Sequence, residues 1–201
     1  TPFAVSSRGV EVPLLVQAAM AHLNLVMIHP FADGNGRVGR LLIPLMMAAD
    51  GMTPLYVAPY IAKRKQEYVE GLKAAQQRLD HGPLIAFLSY GITATVAEAD
   101  RTQAALDQLA NVWLQRRAYR KNSAARRALD LLPGYPVISA TRLADRLRIS
   151  FEAANRAIGQ LCEVRVLRPS TRQRRNRLFV AREALKIYNR NFGDEPEVPE
   201  E

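Results

Sequence analysis

The chain has 201 residues, with 28 Lys+Arg against 19 Asp+Glu and a formal net charge of +9. At roughly 100–200 residues per domain this is one domain or two small ones, and a 48% hydrophobic content supplies a core, which excludes wholesale disorder. The single cysteine, Cys162, excludes a disulfide scaffold and suits a reducing compartment. No apolar run reaches about 18 residues, so no membrane span is expected. The opening TPFAVSSRGVEV lacks the basic stretch and apolar centre of a signal peptide. A soluble, cytoplasmic protein with no membrane partner is expected. Thr1 is not a natural start, so the chain is expected to be a piece of something longer.

Charge is distributed unevenly. Residues 1–100 balance 8 Lys+Arg with 8 Asp+Glu, residues 101–190 carry 20 against 6, and the last eleven carry 5 acids and no bases. A neutral, apolar first half reads as a packed helical body, and a strongly basic second half attracts polyanions.

In chain order, PLLVQAAMAHLNLVMI from Pro13 to Ile28 is apolar on nearly every face, the pattern of a buried helix. Pro13 suits a first helical turn, and Pro30 forces the helix to stop near His29. Asp33-Gly34-Asn35-Gly36 is a turn cluster. A second apolar helix is expected from about Gly36 to Ala49, perturbed at Pro44, and a third, amphipathic one from Tyr60 to Leu79. His81-Gly82-Pro83 breaks the chain before helices from Leu84 to about Asn122 and from Ser123 to Leu132. A boundary is expected near residue 133, where Pro133-Gly134-Tyr135-Pro136 changes the pattern. Beyond it, SATRLADRLRIS and FEAANRAIGQLCEV read as two helices with Ser150 as a cap. VRVL and RLFVA read as short strands, and the acidic tail as disordered.

The chemistry gathers at His29-Pro30-Phe31-Ala32-Asp33-Gly34-Asn35-Gly36-Arg37-Val38-Gly39-Arg40. A tight turn feeding a helix start leaves backbone N–H groups without intrahelical partners, which makes an anion-binding nest strengthened by the helix dipole. Arg37 and Arg40 stand three apart in the first turn, where each exposed cation is disfavoured by about 0.3–1 kcal/mol unless an anion supplies the missing charge. A polyphosphate supplies it. Asp33 suits a Mg²⁺ ion bridging phosphate oxygens, and His29 is the one group here able to exchange a proton near neutral pH, as a general base.

This segment resembles the signature of the Fic (Fido) family, HPFx[D/E]GNGRxxR, at every defined position, with flanking likeness over roughly Pro13 to Leu88. The resemblance implies transfer of AMP from ATP to a protein Ser, Thr or Tyr hydroxyl, on another protein or on the chain itself, with release of pyrophosphate. It implies His29 as general base and Asp33 as Mg²⁺ ligand. Gly34, Asn35 and Gly36 would cradle the α- and β-phosphates, with the Asn35 side chain on the α-phosphate, Arg37 on the β- and Arg40 on the γ-phosphate. Phe31 would be an anchor. The family's inhibitory pattern [S/T]xxxE[G/N] does not occur, since Gln66 precedes Glu70-Gly71 where Ser or Thr is required. Removal of AMP and other phosphate-containing donors remain open, as does a homodimer.

The remaining singular residues read as structure: His22 beside the core, His81 in a loop, Met20, Met27, Met46 and Met47 as core filler. Tyr60 and Tyr68 read as packing, with lining of an adenine pocket as the alternative. Residues 137–190 read as a winged helix-turn-helix, similar to modules often appended to Fic domains. Leu143, Leu147, Ala154, Ile158 and Leu161 face inward, Asn155 and Arg156 lie near the start of the recognition helix, and Arg168, Arg172, Arg174, Arg175 and Arg177 form a basic wing. The expected protein is mainly α: an N-terminally truncated Fic-type helical bundle with linker helices over 1–132, a winged helix-turn-helix domain over 133–190 and an acidic tail over 191–201. The alternative function is a nucleotide-sensing, DNA-binding transcriptional regulator.

Overall fold

A computed structural model of the chain describes residues 12–170 and 177–200. Its elements, in chain order, are α1 (Leu14–Ile28), α2 (Asn35–Ala49), α3 (Ala58–Lys63), α4 (Lys65–Arg78), α5 (Gly82–Gln115), α6 (Ala124–Leu131), β1 (Val137–Ser139), α7 (Ala140–Leu147), α8 (Phe151–Glu163), β2 (Arg168–Pro169), β3 (Leu178–Val180) and α9 (Arg182–Tyr188). The chain divides into two compact units, Thr1–Ala99 and Asp100–Glu201. Among the described residues no helix is long and apolar enough to cross a membrane.

The first unit is built on α1 against α2. Buried Asn35, Gly39, Ile43 and Met47 recur every four residues along α2, and Ala18, Ala19, His22 and Leu23 present the matching face of α1. Such stripes let the ridges of one helix enter the grooves of the other. Position 39 has to be small, because a Cβ there would come 3.1 Å from His22 Nδ1 and 3.4 Å from Val26 Cγ2. α2 runs unbroken through Pro44, although proline in a helix interior forgoes one backbone hydrogen bond at a cost of about 3 kcal/mol.

The single helix expected from Tyr60 to Leu79 is instead two. The chain leaves helical geometry at Arg64 (φ −116°, ψ 42°), the shared end of α3 and α4, where Arg64 Nε donates to Glu67 at 2.7 Å. No glycine or proline marks that break in the sequence. Tyr60 and Tyr68 both pack on Phe87 of α5, with centroids 5.1 and 5.9 Å away.

In the second unit, Leu106, Leu109 and Trp113 of α5 and Ala128, Leu129 and Leu132 at α6 share one core with Leu143, Leu147, Ala154, Ile158, Leu161 and Phe179. The division between units therefore falls well before residue 133. The Pro133–Pro136 segment is a turn within the second unit, where the Tyr188 hydroxyl donates to the Pro133 carbonyl at 2.9 Å. Ser123, Ser139 and Ser150 cap α6, α7 and α8, each accepting a backbone N–H three residues on. The sheet is antiparallel in the order β1-β3-β2, with Ile138 opposite Phe179. β2 begins at Arg168, one residue beyond VRVL, and β1 and α9 add elements the patterning did not signal. The tail is placed rather than free over its described residues: Val198 packs against the core of the second unit, and Arg190 Nε donates to the Asp194 carbonyl at 3.0 Å.

One polar cluster closes this core. Glu183 accepts from Trp113 Nε1 at 2.7 Å and from both Arg116 nitrogens at 2.9 and 2.7 Å. Burial works to raise the Glu183 carboxyl, but its bonds to Arg116 and Trp113 prevail and hold it below the ordinary carboxylate value. A depressed carboxyl contributes stability that is present above its unfolded value and lost as pH falls through the folded one. Glu183→Gln is expected to destabilise the second unit by about 2 kcal/mol in urea unfolding at neutral pH. The gap between mutant and parent should narrow as the pH falls below the ordinary carboxylate range.

Candidate active site

The loop is held by how α1 ends and α2 begins. With Pro30 next in line, α1 terminates at His29 in the left-handed region (φ 52°), its N–H returning to the Leu25 carbonyl. That conformation is uncommon outside glycine, though histidine enters it more readily than bulkier residues do. The His29 ring is exposed, and Nδ1 lies 3.3 Å from the Val26 carbonyl. With Nδ1–H donating there, Nε2 carries the lone pair, as a base facing solvent requires. Nothing in the sequence singled out Val26 as the group that orients the ring.

The turn is closed by Asn35. Its side chain is buried at 2% exposure and spans Phe31 on both sides: Oδ1 accepts the Phe31 N–H at 2.9 Å and Nδ2 donates to the Phe31 carbonyl at 2.6 Å. The carboxamide that the resemblance assigns to an α-phosphate is thus engaged in fixing loop shape. Gly34 supplies the positive φ (87°) that swings the chain into α2, and its N–H donates to Asp33 Oδ1 at 2.6 Å. Since Gly34 provides no side-chain cap, the N–H groups of Asn35, Gly36 and Arg37 at the first turn of α2 point out without helical acceptors.

Both arginines lie over this turn. Arg37 Nη2 donates to Asp33 Oδ2 at 3.0 Å, with side chains 71% and 90% exposed, a contact that contributes little stability in water and can yield to a stronger anion. Arg40 folds back so that Nη1 lies 3.2 Å from where a Gly36 Cβ would stand. Among the described residues no carboxylate pairs with Arg40. Arg40 also borders a pocket of about 560 Å³ lined further by Tyr56, Pro59, Ile61, Lys65, Tyr68 and Val69. Tyr56, Lys65 and Val69 carry no signal of this position in the sequence. Tyr68 reaches this wall and Tyr60 lies in the core at 5% exposure.

Among the described residues no three His, Cys, Asp or Glu side chains gather as a metal centre. Asp33 brings one carboxylate beside a phosphate cradle, a donor set that suits Mg²⁺ arriving with phosphate oxygens rather than a resident ion. The other candidate residues belong to the second unit. Asn155 and Arg156 are exposed on α8, and the Arg177 guanidinium lies 5.2 Å from the Phe179 ring centroid. Arg172, Arg174 and Arg175 lie outside the described residues.

The segment is therefore a helix–loop–helix turn with an exposed imidazole at the end of α1 and two arginines in the first turns of α2. Residues 7–47 match the sequence model of the Fic/DOC family. Over 74 residues the chain is 39% identical to protein adenylyltransferase fic-1 of Caenorhabditis elegans, covering 37% of this chain and 13% of that protein. Over 72 residues it is 38% identical to protein adenylyltransferase Fic of Aedes aegypti and of Drosophila mojavensis, covering 36% of this chain and 14% of each. The likeness thus spans about a seventh of the length of these relatives.

Asn35→Ala removes both bonds to Phe31 and leaves its backbone groups to water. It is expected to destabilise the first unit by about 2 kcal/mol in thermal or urea unfolding.

Proposed function

We propose that the first unit transfers AMP from ATP to a hydroxyl of a protein Ser, Thr or Tyr residue. The observation that carries this is the accessible His29 imidazole on one side of a turn whose other side presents free N–H groups and two arginines. In this reading the phosphates lie on the N–H groups of Asn35, Gly36 and Arg37. Arg37 binds the β-phosphate, exchanging its weak pairing with Asp33 for a doubly charged partner, and Arg40, which pairs with no carboxylate among the described residues, binds the γ-phosphate. Gly34 and Gly36 keep the approach open. The Asn35 side chain acts by holding the loop in shape, and its N–H by facing phosphate. The pocket beside Arg40, with Lys65 and Tyr68 in its wall, adjoins the terminal end of the bound nucleotide.

His29 Nε2 accepts the proton as the target oxygen bonds to the α-phosphorus. The bond from that phosphorus to the oxygen bridging the β-phosphate breaks, and pyrophosphate leaves with its charge on the arginines. Positioning and charge stabilisation supply most of such catalysis. Asp33 would hold Mg²⁺, which when bound neutralises phosphate charge. The named adenylyltransferase relatives support ATP as donor and protein as acceptor.

Because His29 is exposed, His29→Ala should fold normally while losing about 10²–10⁴-fold in rate. Incubation with α-labelled ATP and Mg²⁺ checks this, and equal labelling of both proteins would remove His29 from the mechanism.

A second reading concerns the other unit. Residues 101–190 carry 20 Lys+Arg against 6 Asp+Glu, and α7 leads through a short turn into α8 with Asn155 and Arg156 exposed. Both features favour binding of duplex DNA, with α8 toward the major groove as in helix-turn-helix proteins. Binding should weaken steeply with salt. Arg156→Ala should lower affinity for a selected site by about 1–3 kcal/mol in a gel-shift titration. Negligible affinity at low salt contradicts this reading.

A further inference from the structure

His22 is a buried, titratable side chain that the transfer chemistry leaves unused. It stands two turns before His29 on α1 and is 0% exposed. Its Nε2 is hydrogen-bonded to the Tyr68 hydroxyl at 2.7 Å, and the two rings are tilted by 51° with centroids 5.7 Å apart. Nδ1 faces the backbone of Gly39. The ring fits only because α2 carries glycine opposite it, where a Cβ would come 3.1 Å from Nδ1 and 3.2 Å from Cε1. Position 39 is open in the loop signature, and in this chain His22 closes it to larger residues. Tyr68 is 8% exposed, and it forms both one end of this bond and part of the wall of the pocket that Arg40 borders.

We propose that His22 and Tyr68 are a positioning pair for the nucleotide pocket: their bond ties the helix that carries His29 to the helix that carries the pocket wall, and so governs how tightly the site holds its nucleotide. The inference rests on the reading of the loop as a nucleotide site. Without its partner, the buried Tyr68 hydroxyl would have to turn toward water, and the pocket whose wall Tyr68 forms offers a route to it. The groups facing His22 are Tyr68 from α4 and, from α2, the Gly39 backbone and the positive charge of Arg40. Burial outweighs the hydrogen bond with the Gly39 backbone and, with the charge of Arg40 adding to it, holds the imidazole below its ordinary value, so the ring is neutral at neutral pH. Acid adds a second cation beside Arg40 inside the wall, which must relax to let it reach water.

The test is calorimetric binding of the α,β-methylene analogue of ATP with Mg²⁺, which cannot be transferred. At about pH 7.5, Tyr68→Phe and His22→Leu should bind about five- to tenfold more weakly than the parent. His22→Gln presents an amide to the Tyr68 hydroxyl and does not titrate. It should bind as the parent does at that pH and lack the extra weakening the parent shows once the pH is low enough, below the ordinary imidazole range, to charge the buried ring. Titration of the analogue's own phosphates is common to every variant. Should His22→Leu fail to fold, Tyr68→Phe and His22→Gln carry the test. Parental affinity in Tyr68→Phe, or parental pH dependence in His22→Gln, overturns the positioning role and leaves the nucleotide reading intact. No binding by the parent chain overturns both.

Discussion

Two short hydrogen bonds from the Asn35 carboxamide to the backbone of Phe31 set the geometry on which the site depends. They fix the distance between the end of α1 and the start of α2. One end therefore presents the exposed His29 imidazole and the other the N–H groups of Asn35, Gly36 and Arg37. The clamp is effective because the carboxamide itself is buried: turned away from Phe31 it would leave its own oxygen and amide unsatisfied, which costs more than the bonds themselves contribute. Helix packing underneath supplies the platform. Gly39 admits the His22 ring, and Ile43 and Met47 continue the contact along α2.

Electrostatics explain why this sequence tolerates two arginines at a helix N-terminus. Asp33 relieves Arg37 through an exposed pair, while Arg40 is left without a carboxylate among the described residues and borders a pocket whose lining contains Lys65 and no acid. Under the proposed function, an anion resting on this turn would supply the missing charge. A single carboxylate beside it is enough for a cation that arrives with phosphates and too little to retain one alone.

The elements legible in the sequence were those with strong local signals. α1 and α2 follow from long apolar runs bounded by Pro13, Pro30 and Asp50, and α7 and α8 from their periodicity and Ser150. The loop residues were legible because histidine, glycines and arginines at that spacing have few structural uses together. What stayed hidden depended on tertiary contacts. The Arg64 break arises where α3 and α4 pack around Tyr60, Tyr68 and Phe87, and it carries no glycine or proline. The unit boundary near residue 100 lies inside the continuous helix α5, whose sequence gives no break, because Leu109 and Trp113 are drawn into the core around Leu129 and Leu143. Asn35 was legible as a site residue, but only the fold reveals that its side chain serves the loop. The tail read as solvated from its acids and prolines, and the packing of Val198 on the core and the bond from Arg190 to the Asp194 carbonyl depart from that logic.

The account stands or falls on where a phosphate chain rests. A crystal structure of the chain with the α,β-methylene analogue of ATP and Mg²⁺ tests this most directly. The account predicts phosphates on the N–H groups of Asn35, Gly36 and Arg37, with the α-phosphorus on the His29 side and the terminal phosphate at Arg40. Phosphates bound away from residues 34–40, or an α-phosphorus out of reach of any hydroxyl that His29 Nε2 could deprotonate, would contradict it.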